Sequence, residues 1–255
     1  MSPEPLTNTL AKLARADEHL HSLDCEARAF GSGKPYSITT ERENGAYIAR
    51  LTIREWPPLR LGVILGDVFY NWRSALDNMI YSLVRANNQT PTRRNSFPIL
   101  RSQSDYDAKG VKRISGISAA HATIVESLQP YPDRTDATIA ALALVNEHCN
   151  ADKHAAIHPT FGAFTKPEDA ARSTRREPGT TEFRFKFDPV GFNKPLQDGM
   201  TIARITPIGE PPKTKPRLSI HLPVEIAFGE RGLALKALPA IRWHIRAIVS
   251  RFQQT

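Results

Sequence analysis

The 255-residue sequence predicts an α+β fold, with helices and antiparallel strands segregated along the chain. Three observations predict it. Apolar residues recur at helical spacing in four long segments, a strong hairpin signal sits between the first two, and a β-rich stretch from 158 to 227 precedes the last. The early hairpin is expected to join the later strands in one mostly antiparallel sheet. That makes the chain a single interleaved domain, with a helical core at about 5–30, 59–157 and 231–252 and a sheet at about 35–55 and 158–227.

Each element has its own signal. Leu6, Leu10, Leu13, Leu20, Leu23, Ala27 and Phe30 make a helical stripe over 5–30, and Gly31-Ser32-Gly33 ends it. PYSITTER and AYIARLTIR flank Glu43-Asn44-Gly45, and Asn-Gly is the strongest short hairpin turn. On the second of these strands Tyr47, Ala49, Leu51 and Ile53 alternate with Ile48, Arg50, Thr52 and Arg54, which predicts a half-buried strand. Pro57-Pro58 opens the longest helix, about 59–86, and short helices follow near 103–113 and 117–128. Beyond Pro130 and Pro132 a further helix spans about 134–156, with Ile139, Leu142, Val145 and Cys149 inward.

In the β-rich part, TEFRFKFDP alternates Phe183, Phe185 and Phe187 with Glu182, Arg184 and Lys186. The three phenylalanines read as a core face. A base-stacking sheet would need them beside the basic residues, and alternation puts those on the other side. MTIARITPI and RLSIHLPVEIAF follow, with GEPPKTKP between them, and 165–180 reads as a mobile loop. The last helix, 231–252, carries Leu238, Ile241, Ile245, Ile248 and Phe252 on one face.

Composition excludes several classes. There is no run of about 18 apolar residues, so no membrane span is expected, and the charged N-terminus is not a signal peptide. Two cysteines, Cys25 and Cys149, are too few for a disulfide scaffold and point to a reducing cytoplasm. The net charge is +8, and residues 158–255 carry 16 basic against 9 acidic side chains. Such a surplus suits nucleic acid or another anionic partner, bound through the C-terminal third.

Two constellations carry the candidate chemistry. On helix 59–86, Leu61, Leu65, Val68, Trp72, Leu76, Met79 and Leu83 form a core stripe. Asp67, Asn71, Ser74 and Asn78 form a second, polar line, with Tyr70, Arg73 and Asp77 beside it. Arg73 and Asp77 are four apart and able to pair. Short polar groups replace the Lys and Glu of an ordinary solvated face, so the arc reads either as a cleft or as a network fixing the helix in place. The second constellation is NEHCNADKHAAIH at 146–158, where Asn146, Asn150, Lys153 and His154 fall at helical steps. Lys153 and His154 suit an anion clamp with acid–base capacity. His154 and His158 have metal-pair spacing, but Pro159 disfavours helix at His158 and no third ligand is near, so no metal and no cofactor is expected.

GDVFYNWRSALDNMIYSLV with a downstream NxxxNxDKH resembles a widespread set of bacterial proteins of unassigned function. The matching positions are Gly66, Asp67, Asn71, Arg73, Asp77, Asp152, Lys153 and His154. More distantly, Arg73 to Asn78 is similar to the Arg-to-His helix motif of the HEPN superfamily of helical ribonucleases and nucleotide-binding domains. That resemblance implies a phosphate-holding Arg73. Asn78 stands where the family has its proton-transferring His, and the resemblance leaves that role to His154. Three functional readings follow: a non-catalytic binding or interaction protein whose polar cluster is structural, a HEPN-like ribonuclease or nucleotide-acting defence protein using Arg73 and His154, and an enzyme on a small anionic metabolite.

Overall fold

The computed structural model describes residues 6–152, 157–163, 175–176, 184–189, 195–208, 218–219, 224–229 and 232–253. Its helices are α1 (Thr7–Ser32), α2 (Leu59–Ala86), α3, α4 (Ala119–Ser127), α5 (Ala137–Asp152) and α6 (Leu238–Arg251). The third of these runs through Gln103–Asp105, a π turn at Tyr106–Gly110 and Val111–Arg113. The strands are β1 (Tyr36–Glu43), β2 (Ala46–Ile53), β3 (Pro159–Ala163), β4 (Arg175–Arg176), β5 (Arg184–Pro189), β6 (Thr201–Ile208), β7 (Leu218–Ser219), β8 (Val224–Phe228) and β9 (Leu233–Ala234). The fold class is α+β, and no described helix is long and apolar enough to cross a membrane.

The chain divides into two compact units, each built from separate stretches of sequence. One comprises Asp24–Leu61 and His158–Leu235 and holds the strands. Its hairpin forms as the turn chemistry requires. Asn44 and Gly45 have φ of 49° and 81°, the left-handed pair that matches the twist of two antiparallel strands. The hairpin joins later strands in a four-stranded antiparallel sheet of order β1-β2-β6-β5. The expectation of one sheet needs correction, because β3-β8-β9 and β4-β7 form separate ladders.

Strand β2 also departs from half-burial. Ala46, Tyr47, Ile48 and Ala49 are all buried, and an exposed–buried contrast returns only towards Thr52. Pairing with β6 slips between Ala49 and Arg50. Phe161 on β3 centres the apolar cluster with Ala49, Leu51, Leu196, Ile202 and Ala203, and its ring meets those of Phe30, Tyr36 and Trp56. The side chains of Phe183, Phe185 and Phe187 lie outside the described residues, as does the stretch 165–180 except Arg175–Arg176.

The second unit comprises Met1–Leu23, Gly62–Ile157 and Lys236–Thr255 and is helical. The α2 stripe from Leu61 to Leu83 is buried throughout, joined by Phe69, Ala75 and Ile80, so this helix is apolar over more than one face. Helix α5 starts at Ala137 rather than 134, because the Asp136 carboxylate accepts the Thr138 and Ile139 N–H groups and caps the first turn. The last helix starts at Leu238, the first residue of its apolar stripe, rather than at the expected 231. Pro239 lacks an N–H and fits only the first turn, so residues 233–237 form β9 and a 3-10 turn instead.

Helix α6 is tied to α1 by a shared carboxylate. Asp17 accepts from Arg242 Nε and Nη2 at 2.6 and 2.9 Å and from Arg246 Nη2 at 2.5 Å. Burial opposes ionisation of Asp17, but the two guanidiniums prevail and hold its pKa below the ordinary carboxylate value. A lowered native pKa means stability that is present above the unfolded value of about 3.9 and lost as pH falls through the native one. Partial exposure limits the pair to about 1 kcal/mol. Urea titrations at pH 7 and pH 3 are therefore expected to differ by about that much more in the wild type than in Asp17→Asn. An identical pH response in the two proteins would remove the carboxylate from this role.

Candidate functional site

The polar line of α2 is largely spent on the helix itself. Asn71 Nδ2 donates to the Asp67 carbonyl at 2.8 Å, and Asn78 Nδ2 donates to the Ser74 carbonyl at 2.9 Å. Both are one-turn back-bonds, a common use of short polar side chains inside helices. Asn71 is buried, and Asn78 half-buried.

Arg73 and Asp77 reach off the helix to a different target. Arg73 Nη2 lies 3.1 Å from Asp77 Oδ1 and donates to the Phe97 carbonyl at 2.6 Å. Asp77 Oδ1 in turn accepts the Phe97 N–H at 2.9 Å. One ion pair thus satisfies both backbone groups of one residue. Burial raises the pKa of Asp77 above the ordinary value, against the pull of Arg73 and the Phe97 amide. Arg73 is only 15% exposed, and its Nη1 is buried with no partner among the described residues.

The residues beyond Phe97 are held by a side chain that sequence reasoning missed. Gln129, fully buried just after α4, accepts the Leu100 N–H at 3.0 Å through Oε1. Its Nε2 donates to the carbonyls of Pro98 and Val125, each at 2.9 Å. The segment Phe97-Pro98-Ile99-Leu100 is neither helix nor strand, yet Phe97 and Ile99 are buried. Buried backbone groups need partners, and here three side chains supply what a neighbouring strand would have given. The signal was present in the sequence as a glutamine between Leu128 and Pro130, at the end of an apolar helix.

At the other end of α2 the two halves of the sequence pattern meet. The Asp152 carboxylate packs on Gly66, where a Cβ would lie 2.5 to 2.7 Å from its Oδ1, Cγ and Oδ2. Glycine is required there by space, not by backbone conformation. Burial and the neighbouring Asp67 charge both raise the pKa of Asp152. His19 of α1 faces Asp67 with Nδ1 3.9 Å from Oδ2, and Lys12 sits 5.6 Å above the Tyr70 ring. On α5, His148 stacks on Phe69 at 4.8 Å, so the helix runs antiparallel to α2.

The described contacts of Arg73 run to Asp77 and Phe97 rather than to the candidates on α5. Asn146 is half-buried and Asn150 exposed on α5, and neither enters the clamp on Phe97. Lys153 and His154 lie outside the described residues. His158 is exposed and precedes β3, so it is not on a helix face with a neighbour four residues back. Among the described residues no group of three or more His, Cys, Asp or Glu is arranged to hold a metal ion. Of the Arg73 guanidinium, to which the HEPN resemblance assigns a phosphate, Nη2 is the nitrogen that Asp77 and the Phe97 carbonyl engage. The chain matches no family model, no curated protein and no solved structure.

Three substitutions test these contacts. Gly66→Ala is expected to cost about 1–3 kcal/mol through overpacking against Asp152. Much of that loss should disappear in an Asp152→Ala background, and strictly additive melting shifts in the double-mutant cycle would show that the two residues do not touch. Gln129→Leu leaves the Leu100 N–H and the Pro98 carbonyl unpaired and is expected to cost about 2–4 kcal/mol in chemical denaturation. A loss below 0.5 kcal/mol, the level of an ordinary surface change, would show that Gln129 does not carry the segment.

Proposed function

We propose that the chain is a non-catalytic binding or interaction protein, in which the Arg73–Asp77 cluster builds the fold rather than reacting. The observation that carries this reading is the pair of hydrogen bonds to Phe97. Arg73 and Asp77 together occupy the carbonyl and the N–H of one buried residue. A phosphate-binding or proton-transferring pair needs an open face towards a ligand, and Arg73 is largely enclosed. Asn71 and Asn78 are likewise engaged by their own helix. The basic surplus of residues 158–255 suits an acidic partner and lies apart in sequence from these helices.

Arg73→Ala separates this reading from a catalytic one. It removes a donor from the Phe97 carbonyl and leaves the half-buried Asp77 without its cation, so the expected loss is about 1–3 kcal/mol in stability. Asp77→Asn keeps an acceptor for the Phe97 N–H and is expected to lose less. Single-stranded RNA incubated with folded wild-type protein, with and without divalent cations, is expected to remain intact. Cleavage by the wild type that disappears in a folded Arg73→Lys variant would favour the HEPN-like ribonuclease instead.

A further inference from the structure

Helices α1 and α6 enclose a groove of about 390 Å³ on the helical unit. Its apolar walls are Leu10 and Leu13 from α1 and Trp243, Ala247 and Val249 from α6, and Arg246 stands among them. Trp243 is 64% exposed and Leu10 is 42% exposed, two large apolar side chains at the lip of one groove. A solvated helix face does not normally carry them so close together.

The charges around the groove say what fits it. Leu238–Arg251 contains Arg242, Arg246 and Arg251 and no carboxylate. Asp17 engages Arg242 and Nη2 of Arg246, while the Arg246 side chain stays 40% exposed at the groove. An occupant therefore needs apolar side chains for the leucine–tryptophan walls and a carboxylate at Arg246. A second copy of the chain would bring arginine against arginine. A nucleic-acid backbone would gain little from leucine walls and would meet the Asp17 carboxylate beside its phosphates. From Trp243 to Gln253 the groove runs about 15 Å along α6, close to three turns of a helix laid against it. Tryptophan and arginine are also the side chains that most often anchor protein interfaces.

We propose that this groove docks an acidic amphipathic helix of a partner protein, a deepening that rests on the binding-protein reading. The partner's apolar residues, at helical i, i+4 and i+7 positions, enter beside Leu10, Leu13 and Trp243, and one of its carboxylates takes Arg246.

The test uses the full chain and two phage-displayed libraries of 16-residue helices. Both carry Leu or Phe at i, i+3, i+4 and i+7; one has Glu at its remaining positions and the other Lys. The Glu library is expected to yield binders whose fluorescence-anisotropy affinity falls at least tenfold in Trp243→Ala and in Arg246→Gln, and falls with added salt. Trp243 is exposed, so its alanine variant keeps the fold even where loss of the Arg246–Asp17 contact does not. Enrichment no better than from the Lys library, or binders indifferent to Trp243→Ala, would overturn the proposal. So would Trp243-dependent binding of a single-stranded RNA 20-mer or of phosphatidylserine vesicles, or Trp243-dependent self-association. A failed library with a destabilised Arg73→Ala and intact RNA removes the groove alone. Arg73-dependent RNA cleavage removes the non-catalytic reading and leaves the library result to stand by itself.

Discussion

A segment without regular structure, buried with no neighbouring strand, is the constraint around which the helical unit is arranged. Phe97 and Ile99 gain from burial, but burying them also takes the intervening peptide groups out of water. Each unpaired group would cost about 1–3 kcal/mol, comparable to what one apolar side chain contributes. The segment is therefore stable only where α2 and the residue after α4 both present polar side chains to it. Arg73 and Asp77 come from one side and Gln129 from the other. This explains why a helix as apolar as α2 keeps an arginine and an aspartate on an inward-facing turn.

The same logic accounts for the other polar residues of α2. A carboxylate at Asp152 rests on Gly66, next to Asp67 and across from His19. Charge there is concentrated at one end of the helix, while the Arg73–Asp77 pair neutralises itself about two turns further on. What looks in sequence like one polar stripe is two separate places. One secures a neighbouring backbone segment, and the other crowds two carboxylates near the end of α5.

Much of this was legible from the residues. The α2 limits, the Asn44-Gly45 hairpin and its union with later strands follow from proline, turn chemistry and periodicity, all of which act locally. The pairing of Arg73 with Asp77 follows from their four-residue spacing. Its target does not, because nothing local says that Phe97 returns to α2 after the ten residues of turn and loop that follow Ala86. Gln129 was hidden for the same reason: a lone glutamine has no pattern until the chain that it grips is in place. The expected start of α6 at 231 lies seven residues before the observed one, although Pro239 fits only the first turn of a helix. The burial of Tyr47 and Ile48 together on β2 depends on tertiary cover, which alternation cannot report.

The wide turn at Tyr106–Gly110 makes chain length itself a structural variable. A π turn spends one residue more than α-helical phase requires, so Val111–Arg113 point about 100° away from where an unbroken helix would aim them. Gly110 accommodates the winding by letting the Tyr106 ring lie where a Cβ would be, 2.6 Å from its nearest carbon. Beyond the turn, the Arg113 carbonyl accepts from the Ser96 N–H at 3.0 Å, immediately before the buried segment begins at Phe97. Loss of a single residue between 106 and 110 would restore regular winding and swing that carbonyl off Ser96. Within this helix, an evolutionary deletion is thus a more severe event than most substitutions, because no replacement side chain can restore the phase.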